Sequence, residues 1–150
     1  MPAYGITKTA VFGTILAASA FLFTPPIQGQ INPSPNIESI QDSAAYLDAL
    51  SARKFLEAHP STIVLDVRTE DEVKSGFIVA AHVLNFKSPH FKLRVKNLDP
   101  SKTYLVHCND GDRSLLTFAM MKNLGFKHVY HMDGGLNAWK ATGLPVSIPY

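Results

Sequence analysis

Three short, largely apolar runs set the terms for this chain: Ile63-Val64-Leu65 with Val67, Tyr104–Val106 and Val129–Met132, the last interrupted by His131. Runs of this length with no alternating polar position are strands buried on both faces, the kind found in parallel sheets covered by helices. Helical patterns lie between them. Ser51 is the expected N-cap of a helix over Ala52–Ala58, with Phe55 and Leu56 turned inward and Pro60 beyond its end. Thr69 and Glu72 have capping-box spacing, so a short helix is expected after the first central strand. A further strand is expected within His82–Phe86. Ser114–Leu124 reads as a helix with Leu116, Met120 and Leu124 on one stripe and Gly125 at its C-terminal cap. Strands separated by helices need crossover connections, which predicts an α/β domain: a small, mainly parallel sheet with helices on both faces.

The chain has 150 residues, room for one domain, and its ends differ in character. Lys8 is the only charged side chain before Glu38, and the apolar stretch Thr9–Phe23 that follows it closes at Pro25 and Pro26. A positive start, a short apolar run and then breakers make residues 1–29 a signal peptide, or a signal anchor if left uncleaved. Residues 30–45 read as a linker, since Pro33 and Pro35 exclude a helix there, and residues 46–150 form the domain. The expectation is an exported protein of the bacterial periplasm, attached to the membrane only through an uncleaved N-terminal segment. Its 14 basic residues against 12 acidic ones are scattered, which gives no support to nucleic-acid binding. The stretch Lys87–Lys96 interleaves cations with Phe91, Leu93 and Val95, as a solvated amphipathic segment does.

Chemistry is expected at one turn. In open parallel sheets, ligands bind at the carboxyl ends of strands, where loops lead into helices. Cys108, the only cysteine, ends the run Tyr104–His107 and is followed by Asn109-Asp110-Gly111-Asp112-Arg113-Ser114. A lone cysteine excludes an intramolecular disulfide. The N–H groups and dipole at a helix start favour negative charge, and a thiolate beside them and an arginine is a nucleophile. Gly111 suits a tight loop, and Arg113 can grip an anion by paired hydrogen bonds. A strand-end cysteine can equally be core. The six histidines form no pattern of metal ligands: His128 and His131, three apart on a strand, face opposite ways, and His107 points away from its neighbouring cysteine.

Cys108-x-x-Gly111-x-Arg113-Ser114 resembles the active-site loop of the rhodanese (sulfurtransferase) family, especially its small exported single-domain members. Further segments are similar in the same order: Leu65-Asp66-Val67-Arg68-Thr69, Gly76-Phe77-Ile78, Asp133-Gly134-Gly135-Leu136-Asn137-Ala138-Trp139 and Gly143-Leu144-Pro145-Val146. The resemblance covers Tyr46 to Val146.

It implies a mechanism in which the Cys108 thiolate takes the sulfane sulfur of a small donor (thiosulfate, a persulfide or a polysulfide) and becomes a persulfide. A thiol or cyanide then removes that sulfur. Asn109, Asp110, Gly111, Asp112 and Ser114 would form the cradle, and Arg113 would bind the sulfur donor or orient the loop. Asp66 and Arg68 would brace the loops, and Gly134, Gly135 and Trp139 would serve the fold. No cofactor and no metal are implied. The alternative is a non-catalytic binding or sulfur-sensing module. The related phosphatases have a longer loop between cysteine and arginine; here four residues intervene, Asn109 to Asp112.

Two features depart from the family. Asp110 and Asp112 place two carboxylates beside the sulfur, where they would oppose a thiolate, make thiosulfate a poor sulfur donor and favour a less charged persulfide or polysulfide. Phe77, Val79 and Ala80 stand where the family shows histidine, proline and glycine, so a turn of different shape is expected there.

Overall fold

The computed structural model describes residues 43–149. The signal-peptide reading and all but the last residues of the linker lie outside it. Ser43–Ala45 form a 3-10 turn whose Ala45 is buried in the core. Ten elements follow: β1 (Tyr46–Leu47), α1 (Ala49–Ala58), β2 (Ile63–Asp66), α2 (Glu70–Val73), β3 (His82–Val83), α3 (Phe91–Lys96), β4 (Thr103–His107), α4 (Asp112–Asn123), β5 (His128–Met132) and α5 (Gly135–Ala141). The five strands form one sheet in the order β1-β5-β4-β2-β3, with every pairing parallel. This is the α/β architecture expected from the apolar runs.

The three runs form the centre of the sheet and are buried on both sides. Leu65, Tyr104, Val106 and Val129 face the cluster completed by Phe91 and Val95 of α3 and Phe118 and Met121 of α4. Val64, Leu105 and Met132 face the opposite cluster, closed by Ala49 and Ala52 of α1 and Leu136 and Trp139 of α5. At about 25 cal/mol per Å² of apolar surface removed from water, such double-sided burial is what holds a polar loop at the strand ends in one place.

Three local expectations are corrected. Helix α1 starts at Ala49 because the Asp48 carboxylate takes the Ser51 N–H at 2.7 Å, so Asp48 and not Ser51 caps it. The strand within His82–Phe86 is two residues long; beyond it, the chain stays attached to β2 and its extension through the N–H groups of Leu84 and Phe86. In α4 the buried face is Ser114, Thr117, Phe118, Ala119 and Met121, while Leu116 and Leu124 are exposed. Leu116, Met120 and Leu124 instead line a groove on the far side of α4, together with Phe86, Lys92 and Lys96. The Thr69–Glu72 capping box forms in full at α2.

Candidate active site

Parallel pairing puts the carboxyl ends of β2, β4 and β5 on one edge of the sheet. There Arg68, Cys108 and Gly134 leave their strands within reach of one another. Cys108 follows β4, and its loop turns at Gly111 (φ +110°), which caps α4. A side chain at that φ is strained, so glycine fits the turn.

The sulfur is enclosed. Cys108 has no exposed surface. Its Sγ accepts the Gly111 N–H at 3.2 Å and lies 3.6 Å from Ser114 Oγ, whose hydroxyl also donates to the Gly111 carbonyl at 2.8 Å. The thiol itself donates to Asp110 Oδ1 at 3.3 Å, and that hydrogen bond holds the Asp110 carboxyl below its ordinary range. The same oxygen accepts the Asp112 N–H at 3.3 Å. The two aspartates therefore differ: Asp110 lies on the sulfur, and the Asp112 side chain is exposed at the start of α4.

Arg113 does not face the sulfur with a free guanidinium. Its Nη1 and Nη2 both bind the Glu72 carboxylate, each at 2.7 Å. Glu72 also accepts from the Thr69 N–H, the Thr69 hydroxyl and Asn109 Nδ2, so one carboxylate ties α2, the cysteine loop and α4 together. Arg113 draws its pKa down to about 2, and Glu72 in turn raises that of Arg113. Nothing in the local pattern marked Glu72 as more than a capping residue, because its partners lie 37 and 41 residues away.

Arg68 is wholly buried below the loop. Its Nε and Nη2 grip the buried Asp66 carboxylate at 2.6–3.0 Å, Nη2 also donates to the Gly76 carbonyl, and Nη1 donates to the Glu72 carbonyl and Asn109 Oδ1. His107 is buried beside this pair. Its Nδ1 donates to the Cys108 carbonyl at 3.2 Å and its Nε2 stands 3.7 Å from Asp66, so the ring does not meet the sulfur. Burial lowers the pKa of His107, against the opposing pull of Asp66.

The last brace comes from α5. The Leu136 N–H binds the Cys108 carbonyl at 2.8 Å, and the Asn137 N–H binds that of Asn109 at 2.9 Å. A Cβ on Gly135 (φ +57°) would lie 2.6 Å from the Cys108 carbonyl oxygen. The Gly134-Gly135 pair thus does more than turn the chain: it lets two loops lie backbone against backbone. His131, buried between Tyr46 and Phe118, packs behind Gly111. Burial lowers its pKa, opposed by Asp133. Among the described residues no group of three His, Cys, Asp or Glu gathers as metal ligands.

An enclosed thiol, a backbone N–H aimed at it and a doubly braced loop suit a nucleophile that takes up a single small atom. Known proteins agree on the lineage. A rhodanese-like domain model matches residues 43–142. Rhodanese-like domain-containing protein 17 of Arabidopsis thaliana is 31% identical over 116 residues, covering 69% of this chain and 73% of the relative. A protein of Allochromatium vinosum named sulfurtransferase is 26% identical over 103 residues, covering 69% and 94%. The solved structure of a rhodanese-related protein from Thermoplasma volcanium superposes with a TM-score of 0.61 at 26% identity, covering 69% and 98%. From the match along most of the domain, and from the cysteine loop at the end of its central strand, the chain belongs to the rhodanese-like domain family.

Proposed function

We propose that the protein is a sulfurtransferase that carries a sulfane sulfur on Cys108. The observation that carries this reading is the Gly111 N–H held 3.2 Å from Cys108 Sγ, at the head of α4. A donor aimed at the sulfur stabilises the charge that resides there when the thiolate forms and when the persulfide is loaded. In the first half-reaction the Cys108 thiolate attacks the sulfane sulfur of the substrate. The new S–S bond forms as the old bond breaks, and its electron pair leaves with the departing group. In the second, a thiol or cyanide attacks the outer sulfur and the Cys108 thiolate is released. Asn109, Asp110, Gly111, Asp112 and Ser114 form the cradle, and Asp66 and Arg68 brace it from below. Arg113 works through Glu72 as a brace of the loop, since both of its terminal nitrogens are engaged. The relative in Allochromatium that bears the name sulfurtransferase supports this reading.

Intact-mass spectrometry of the purified protein, after incubation with a sulfane-sulfur compound and then cyanide, tests it. A one-sulfur adduct that cyanide removes, absent in Cys108→Ser, is the expected result. A folded protein with a free thiol that takes up no sulfur would favour the second reading, a non-catalytic binding or sulfur-sensing module. The complete burial of Cys108 is the observation on that side. We propose in addition that the protein is exported to the periplasm, on the strength of the charge and apolar pattern of residues 1–29. Cell fractionation of a tagged chain checks this.

A further inference from the structure

One carboxylate stands between the reactive sulfur and solvent. Asp110 is exposed on its outer side, yet its Oδ1 receives the Cys108 thiol at 3.3 Å while Cys108 has no exposed surface. The Asp112 N–H holds the same oxygen from behind at 3.3 Å. The arginines of the site are already paired with other carboxylates, and the charge of Arg113 acts on Asp110 only as the smallest of the influences on it. Arg113 gives both terminal nitrogens to Glu72, and the buried Arg68 is committed to Asp66, Gly76, Glu72 and Asn109.

A sulfur compound reaching Cys108 therefore meets a negative charge at its first contact. Thiosulfate arrives with two negative charges and leaves as sulfite, again with two. A persulfide on an uncharged thiol brings at most one, and it leaves as a thiol once protonated. We propose that Asp110 is the specificity-determining residue of the reaction, admitting thiol persulfides and turning away thiosulfate. The inference rests on the sulfur-transfer reading of Cys108.

The loading step balances without any further reactant. The Cys108 S–H proton passes to Asp110, and the thiolate electron pair forms a bond to the outer sulfur of R–S–SH. The R–S–S bond breaks, its pair stays on the inner sulfur, and that sulfur takes the proton back from Asp110. Cys108–SH and R–S–SH become Cys108–S–SH and R–SH, with the oxidised sulfur moved and nothing else oxidised or reduced. The same carboxylate that repels a dianion thus serves the thiol persulfide.

The test compares wild type with Asp110→Asn, which keeps the shape and removes the charge, using thiosulfate and the persulfide of an uncharged alkyl thiol as sulfur sources. The Asp110→Asn substitution is expected to raise kcat/KM for thiosulfate by about tenfold and to lower it for the persulfide by about tenfold or more. Added salt is expected to raise the wild-type rate with thiosulfate and to leave that of Asp110→Asn flat. Two rates that fall together, or do not move, would overturn the assignment, as would a wild-type thiosulfate rate indifferent to salt. Wild type that loads sulfur from neither source fails at the earlier step, and removes the sulfur-transfer reading itself along with the role of Asp110.

Discussion

Gly135 and Cys108 are locked backbone to backbone: the Cys108 carbonyl oxygen lies 2.6 Å from where a Gly135 Cβ would stand, and two Asn109 backbone atoms lie at 2.7 Å. Those neighbours are main chain, so they cannot move aside as a flexible side chain would. Gly135→Ala is expected to cost at least about 2 kcal/mol, combining the clash with a left-handed φ, and to abolish sulfur loading by displacing the loop. Gly125→Ala is the control. Its φ is +87° but nothing lies within 4 Å, so it should lose only about 1 kcal/mol and load sulfur as wild type does. Urea denaturation and adduct mass measure the two effects.

Glu72 gives the protein an acid-sensitive tie. Its folded pKa of about 2 lies below the ordinary 4.5, so its contribution to stability is full above about pH 4.5 and is lost as pH falls towards 2. Because the pair is partly exposed, that contribution is discounted for screening to about 1–2 kcal/mol. Glu72→Gln should lower Tm near neutral pH and flatten its fall between pH 5 and 2, followed by circular dichroism.

Arg68 is held in a wholly buried pair with Asp66. Removing one partner of such a pair leaves a buried charge uncompensated, so Arg68→Met is expected to destabilise by about 3–5 kcal/mol. Arg68→Lys should recover little of this. An ammonium cannot span Asp66, Gly76 and Asn109 as the planar guanidinium does. Chemical denaturation of both variants tests the ordering.

Ala80 is the one described non-glycine residue in the left-handed region, with φ +63°. It occupies the position where the resembled family shows glycine, and it adopts the backbone that glycine enters most easily. Ala80→Gly should stabilise the protein by about 0.5–1 kcal/mol, the relief of strain exceeding the added flexibility of the unfolded chain. An unchanged or lower denaturation midpoint would contradict this.

The sheet and its core were legible in the sequence because Val64, Leu105 and Val129 sit in runs whose only comfortable environment is apolar on both sides. Local hydrogen-bonding patterns were legible where the partners are close in sequence, as in the Thr69–Glu72 box. Asp48 and Ser51 both suit a helix start, and only the chain's arrival from β1 decides that Asp48 takes the cap. In α4 two apolar stripes compete, and the sheet selects Phe118 and Met121 over Leu116 and Leu124 because small Ser114 and Thr117 let the helix approach on that side. The site was legible as a loop and its contacts were not. Arg113 read as an anion grip, yet its anion is Glu72, a residue that only the return of β4 beside β2 brings near. The two aspartates looked alike, and their difference appears only when the turn at Gly111 sends one towards the sulfur and the other outward.

The enclosure of Cys108 bears on what two copies of this chain do when they meet. A disulfide requires the sulfurs to approach to about 2 Å, with their Cα atoms within about 7 Å. A thiol with no exposed surface, at the base of a loop braced by α5, cannot present itself to another such thiol at that range. The packing around Cys108 therefore shields the sulfur from a second copy of this chain.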